Sequence, residues 1–220
     1  MAEEIQFTGV SHDCCVCFVD MVDSTRITIE ITNPEKIKRY YFIFINTMAA
    51  IARNFGANII KNTGDSLIYY FPKTSDSNNS SISEFKSVID CGLTMIGVNP
   101  IINAKLHEEL FLQSLSYRIS ADYGRVEIAK SLTSTNEDLF GPTVSICAKI
   151  NSMAQPNGMV IGSDLYQIVK PCLANEHYIF DEIGEYSVDE HKHSYPVYSV
   201  TNKDKIDNDD AINLYKSAVS

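Results

Sequence analysis

The sequence predicts an α+β fold: a ferredoxin-like β-α-β-β-α-β core with a mostly antiparallel sheet. Three observations predict it. An apolar run over 13–21 reads as a buried central strand. A long segment follows with Ile37, Tyr40, Tyr41, Phe44, Ile45, Met48 and Ile51 at helical spacing. Then Ile59-Ile60-Lys61-Asn62-Thr63-Gly64-Asp65-Ser66-Leu67-Ile68-Tyr69-Tyr70-Phe71 sets two β-forming runs around a Thr-Gly-Asp turn, where glycine supplies the positive φ.

Taken in order, the first strand runs into Asp20, and Ser24-Thr25 suits a helix start. Asn33-Pro34-Glu35 opens the long helix, which is carried to about Asn54. The hairpin of 58–71 follows, then a polar loop over 74–81. Residues 82–98 read as a helix stopped before Pro100, with 101–113 unassigned. A second hairpin is expected from Leu115–Ala121 and Arg125–Ala129, turned at Asp122-Tyr123-Gly124, with a polar loop at 131–138. Pro142 starts a helix to Ala154, Met159–Ile161 is a short strand, and Ser163-Asp164 caps a helix to about Val169. Tyr178–Ile183 and Tyr195–Val200 form a terminal antiparallel pair. Residues 1–200 are expected to make a single domain. Residues 201–220 are expected to be a polar tail, with a short helix over Asp209–Val219.

Composition narrows the function classes. With 45% hydrophobic and 21% charged residues over 220, the chain has the balance of a globular protein with a sizeable core. A net charge of −10 without a basic stripe argues against nucleic acid as a partner. No apolar run near the roughly 20 residues of a membrane span is evident, so no membrane partner is expected. Met-Ala-Glu-Glu-Ile lacks the basic and apolar blocks of a signal peptide, and a cytoplasmic location is expected. The six cysteines include no C-x-x-C pair and read as reduced, buried thiols rather than a zinc site.

The chemistry lies at the strand ends. Two strands that deliver Asp20 and Asp65 to one sheet edge make a site for divalent cations. Two Mg2+ or Mn2+ ions, about 3.5–4 Å apart, would activate an attacking oxygen and neutralise a leaving phosphate. The amides near Ser24 and Thr25 are placed to hold phosphate oxygens.

These residues fall in a recognisable series. Phe18-Val19-Asp20-Met21-Val22-Asp23-Ser24-Thr25 resembles the F-x-D-[IM]-x-x-[SF]-T element of the class III adenylate/guanylate cyclase catalytic domain, and Lys61-Asn62-Thr63-Gly64-Asp65 resembles its K-x-x-G-D hairpin. Arg118 to Val126 resembles R-x-G-[IL]-x-x-G-x-V, with Ser120 at the first glycine. Asp138 to Val144 is similar to D-x-x-G-x-x-V, and Pro156 to Ser163 to P-G-x-[IV]-x-x-S. The resemblance covers roughly residues 13–200. It implies Asp20 and Asp65 as metal ligands, and Lys61 and Asp138 as the pair that reads adenine, hence ATP rather than GTP. It also implies a homodimer with sites at the interface, each chain completing the other's site.

Two departures bear on turnover. Ser145 stands where the family carries a ribose-orienting asparagine, and Lys149 where it carries a catalytic arginine. A terminal-hairpin lysine is also replaced, with Asp189 near that place and Lys192 a substitute. The resemblance therefore leaves two functions open: an adenylate cyclase of slow turnover, or a cyclase-like module that binds nucleotide or dimerises in signalling. Gly64-Asp65-Ser66-Leu67 also spells a GDSL hydrolase motif, but a strand follows it where that family needs a helix. His191-Lys192-His193 reads as a solvated loop rather than a metal cluster.

Overall fold

The computed structural model describes residues 5–62, 64–75, 82–131, 137–173, 177–187, 194–203, 213, 215 and 216. The His191-Lys192-His193 cluster, Asp189 and most of the 74–81 loop lie outside the described residues, as does most of the expected C-terminal helix.

One sheet runs β2-β3-β1-β4-β6-β8-β7, with β5 joined to β4. Its strands are β1 (Ile5–Met21), β2 (Asn58–Asn62), β3 (Ser66–Phe71), β4 (Tyr117–Ser131), β5 (Glu137–Phe140), β6 (Gly158–Gly162), β7 (Tyr178–Ser187) and β8 (Ser194–Asn202). Only the β4–β6 pair is parallel among the described residues. β1 lies between β3 and β4, as the split β-α-β-β-α-β arrangement requires.

Helices α1 (Ser24–Glu30), α2 (Pro34–Asn54), α3 (Ile82–Gly97), α4 (Asn99–Leu110) and α6 (Ser163–Leu173) carry the apolar residues of the main core. Phe44, Met48, Ile51, Ile89, Met95, Ile102 and Leu106 pack there against Cys15, Cys17, Val19, Tyr117 and Ile119 of the sheet. In α2 the Asn33 side chain accepts from the Glu35 amide at 2.9 Å, and Pro34 occupies the first turn, where no amide partner is lost.

Several expectations need correction. The second hairpin is absent: β4 runs unbroken through Asp122, Tyr123 and Gly124. These pair with Val16, Cys15 and Cys14 of the long first strand, so their backbone groups are satisfied by the ladder and need no turn. The hairpin instead joins β4 to β5, placing Asp138 on a strand opposite Ala129 rather than in a loop. The helix expected over 82–98 ends at Gly97, before Pro100, and most of the unassigned 101–113 segment is a further helix with Pro100 in its first turn, where proline is tolerated.

Together α3 and α4 span 29 residues, Ile82–Leu110, long and apolar enough to cross a membrane by length and composition, contrary to the expectation of no such run. Their apolar residues are spent on the core: Val88, Ile89, Cys91, Met95, Ile102 and Leu106 are buried.

Not all helices share a face. α5 (Pro142–Ile150) packs Ile150 with Val160 and Val197 on the face opposite the main core. There Ser120 donates to the Cys147 carbonyl at 2.8 Å. The cysteines are free, five buried and Cys172 intermediate, and burial raises the thiol pKa of Cys14 to about 12. In the C-terminal stretch Tyr215 joins the main core, with the Lys105 ammonium 5.3 Å from its ring centroid.

Candidate active site

The register of β1 gathers the acidic residues. Asp20 pairs with Ser66 on β3 and with Arg118 on β4, and the Met21 amide donates to the Asp65 carbonyl at 3.2 Å. Gly64, with φ 74°, turns the chain so that Asp65 follows directly on the β2–β3 connection. The two carboxylates are bound crosswise. The Ser66 hydroxyl donates to Asp20 Oδ1, and the Ser24 hydroxyl donates to Asp65 Oδ2.

Asp20 is half-buried, and its carboxyl lies above the ordinary carboxylate range. Burial is the main cause and the nearby Asp65 charge adds to it; the Ser66 hydrogen bond and the Arg118 charge oppose both. Two carboxylates this close favour a cation between them. Among the described residues no group of three or more His, Cys, Asp or Glu is placed to hold a metal alone. Two hard oxygen donors fit a Mg2+-type ion, which keeps waters and takes substrate phosphates as further ligands, rather than a closed zinc site.

α1 begins at Ser24, where the sequence placed a helix start. Ser24 is buried and turned inward to Asp65, while Thr25 remains exposed. The seven-residue α1 is capped by Asp23 in the left-handed region, without a side-chain cap bond. An open hollow of about 580 Å3 is lined by Asp23, Ser24, Thr25, Arg26, Ile29 and Glu30.

On the same sheet face, Phe18 and Lys61 both pair with Ile68. The Lys61 ammonium reaches Asp138 Oδ1 at 2.7 Å and Oδ2 at 2.9 Å, so the structure brings these two together across β2 and β5. Ser145 and Lys149 are both exposed, four residues apart on α5. No hydrogen bond or ion pair among the described residues joins either to Asp20 or Asp65.

Two polar residues were given no site role by the sequence. Arg118 faces Asp20 across the β1–β4 ladder, and its Nε is buried without a hydrogen-bond partner. Asp122 is buried: the Tyr195 hydroxyl lies 2.8 and 3.0 Å from its two oxygens, and the Tyr123 amide donates at 2.9 Å. A Cβ on Gly162 would sit 2.4 Å from this carboxylate, so the carboxyl occupies space that only glycine leaves open. Both lie in the Arg118–Val126 motif, but what they face depends on the register of β4, which a hairpin assignment hides.

A family model for the adenylate and guanylate cyclase catalytic domain matches residues 8–202. The chain belongs to that family. It is a class III cyclase domain, a lyase by class, with the mixed sheet-and-helix architecture of its relatives. No curated protein matches it.

Among solved structures, the cyclase domain is similar to the adenylyl cyclase CyaB from P. aeruginosa, with a TM-score of 0.76 and 17% identity over 92% of this chain and 98% of that one. It is also similar to the guanylyl cyclase Cya2, at 0.72 and 18% over 94% and 98%. A third is the guanylate cyclase domain of RhGC from Catenaria anguillulae in complex with GTP, at 0.68 and 16% over 89% and 100%. At such identities the likeness is one of fold. It spans adenylyl and guanylyl enzymes alike, so base choice has to be argued from the residues.

Proposed function

We propose that this cyclase domain forms cyclic AMP from ATP, slowly, as a homodimer that uses two divalent cations, Mg2+ or Mn2+. The observation that carries the base assignment is the Lys61–Asp138 pair. Adenine offers a ring nitrogen that accepts from the ammonium and an amino group that donates to the carboxylate. In the reaction the ribose 3'-hydroxyl attacks the α-phosphate. A 3'-O–P bond forms, the bond to the β-phosphate oxygen breaks, and pyrophosphate leaves with the electron pair while the hydroxyl proton is lost. When bound, the cations lower the pKa of the attacking hydroxyl and offset charge on the leaving phosphates.

The chain's own residues divide the remaining work. Asp20 and Asp65 hold the cations, and the Arg118 charge moderates the repulsion between the two carboxylates. Thr25, exposed beside the hollow along α1, is available to phosphate oxygens. Ser145 and Lys149, exposed on α5, approach ribose and triphosphate from the opposite chain of a head-to-tail dimer. Lysine keeps the charge there but not the bidentate fork, which favours binding over turnover.

The second reading, a nucleotide-binding module without turnover, is favoured by the same two positions. Cyclic AMP formed from ATP and Mn2+ by the purified chain decides between them. Product above a buffer blank supports the enzyme; ATP binding without any product supports the module.

A further inference from the structure

We propose that Ser24 and Ser66 are positioning residues that set how tightly the carboxylate pair holds a divalent cation. The proposal rests on the metal reading of Asp20 and Asp65 above. Its basis is the crossed pattern of hydroxyls. Ser66 is the neighbour of Asp65 yet donates to Asp20, and Ser24, four residues beyond Asp20, donates to Asp65. Each segment that supplies a carboxylate thus also supplies the clamp for the other.

The clamp leaves room for a cation. An ionised carboxylate has two oxygens and about four lone-pair positions, so one hydroxyl uses a fraction of its capacity. What the hydroxyl fixes is the plane of the carboxylate. Mg2+ demands near-ideal octahedral geometry and gives up its waters reluctantly, so ligands already held in place bind it at lower ordering cost. Ser24 is 6% exposed, so its hydroxyl needs a partner, and the partner it has is the Asp65 carboxylate.

The test reads metal binding without turnover. Mn2+ affinity is measured for the full chain by the loss of the free-ion electron paramagnetic resonance signal, with metal-free melting temperatures recorded in parallel. Ser66→Ala and Ser24→Ala are each expected to weaken Mn2+ binding about 10–100-fold, the usual cost of removing a hydrogen-bond partner from a metal ligand. Ser66→Thr, which keeps the hydroxyl on a strand, is expected to restore binding to within about threefold of the parent. If Ser24→Ala proves too unstable to assay, the Ser66 pair of variants carries the test alone.

If both alanine variants bind Mn2+ as the parent does while Asp20→Asn and Asp65→Asn do not, the positioning role is wrong and the metal reading stands. If Asp20→Asn and Asp65→Asn bind as tightly as the parent, or the parent takes up no Mn2+, the metal reading falls and this proposal with it.

Discussion

The Lys61 ammonium and the Asp138 carboxylate form a bidentate contact at 2.7 and 2.9 Å, although their side chains are 39% and 41% exposed. An ion pair so open to water adds little stability, within about 1 kcal/mol. Lys61→Glu with Asp138→Cys should leave the melting temperature nearly unchanged, weaken ATP binding more than tenfold and move preference towards GTP. Each unpaired polar contact in a closed site costs roughly 1–3 kcal/mol. Parallel titrations with ATP and GTP check this, and equal affinity of the parent for both would sink the base assignment.

The carboxylate pair predicts opposite effects on stability and on metal response. Asp20 sits above its ordinary range through burial and the Asp65 charge, so an amide there removes an electrostatic penalty while still accepting from Ser66. Asp20→Asn should melt no lower than the parent without metal. Mn2+ with ATP should raise the parent's melting temperature by mass action, and that rise should vanish in Asp20→Asn and Asp65→Asn. Thermal scans with and without Mn2+ and ATP are sufficient. Variants that respond like the parent would refute the assignment.

The α5 departures predict a kinetic gain. Ser145 and Lys149 are exposed and four apart on one helix, so both can face a single ligand. A donor that strengthens its contacts as charge moves between phosphates contributes on the order of 3 kcal/mol to the barrier. Ser145→Asn with Lys149→Arg should raise kcat at least tenfold with little change in nucleotide affinity. Steady-state kinetics with Mn2+ and ATP check it; a slower double variant would show that this site works by another route.

Asp122 predicts a pH dependence. Burial pushes its carboxyl up to about 7, the hydrogen bonds from the Tyr195 hydroxyl and Tyr123 amide pull it down, and Asp164 adds to the rise. Because the folded pKa is raised above the unfolded value of about 3.9, the folded state holds the proton more tightly. The stability this gives is complete below about pH 4 and lost as pH rises through 7. The melting temperature of the parent relative to Asp122→Asn should therefore fall by several degrees between pH 4 and 8. An asparagine can keep its oxygen on the amides and donate to Tyr195. A difference that stays flat with pH would rule out the titration.

The sequence by itself determined the strands, the long helix and the carriers of chemistry, because each is written in local signals. Alternation and apolar runs marked β1, β2 and β3, Asn33-Pro34 marked the start of α2, and Gly64 marked the turn before Asp65. The same local reading placed a turn at Asp122-Tyr123-Gly124, where the structure has continuous strand. Turn propensity gave way there because β1 extends to Ile5 and pairs β4 along its length, a partner no local window contains. Only the tertiary structure decided that Arg118 faces Asp20, that Asp138 reaches Lys61 from a strand rather than a loop, and that Ser24 and Ser66 cross to each other's carboxylates. Those relations are set by register between strands distant in sequence, and a one-residue slip would send each side chain to the other face of the sheet.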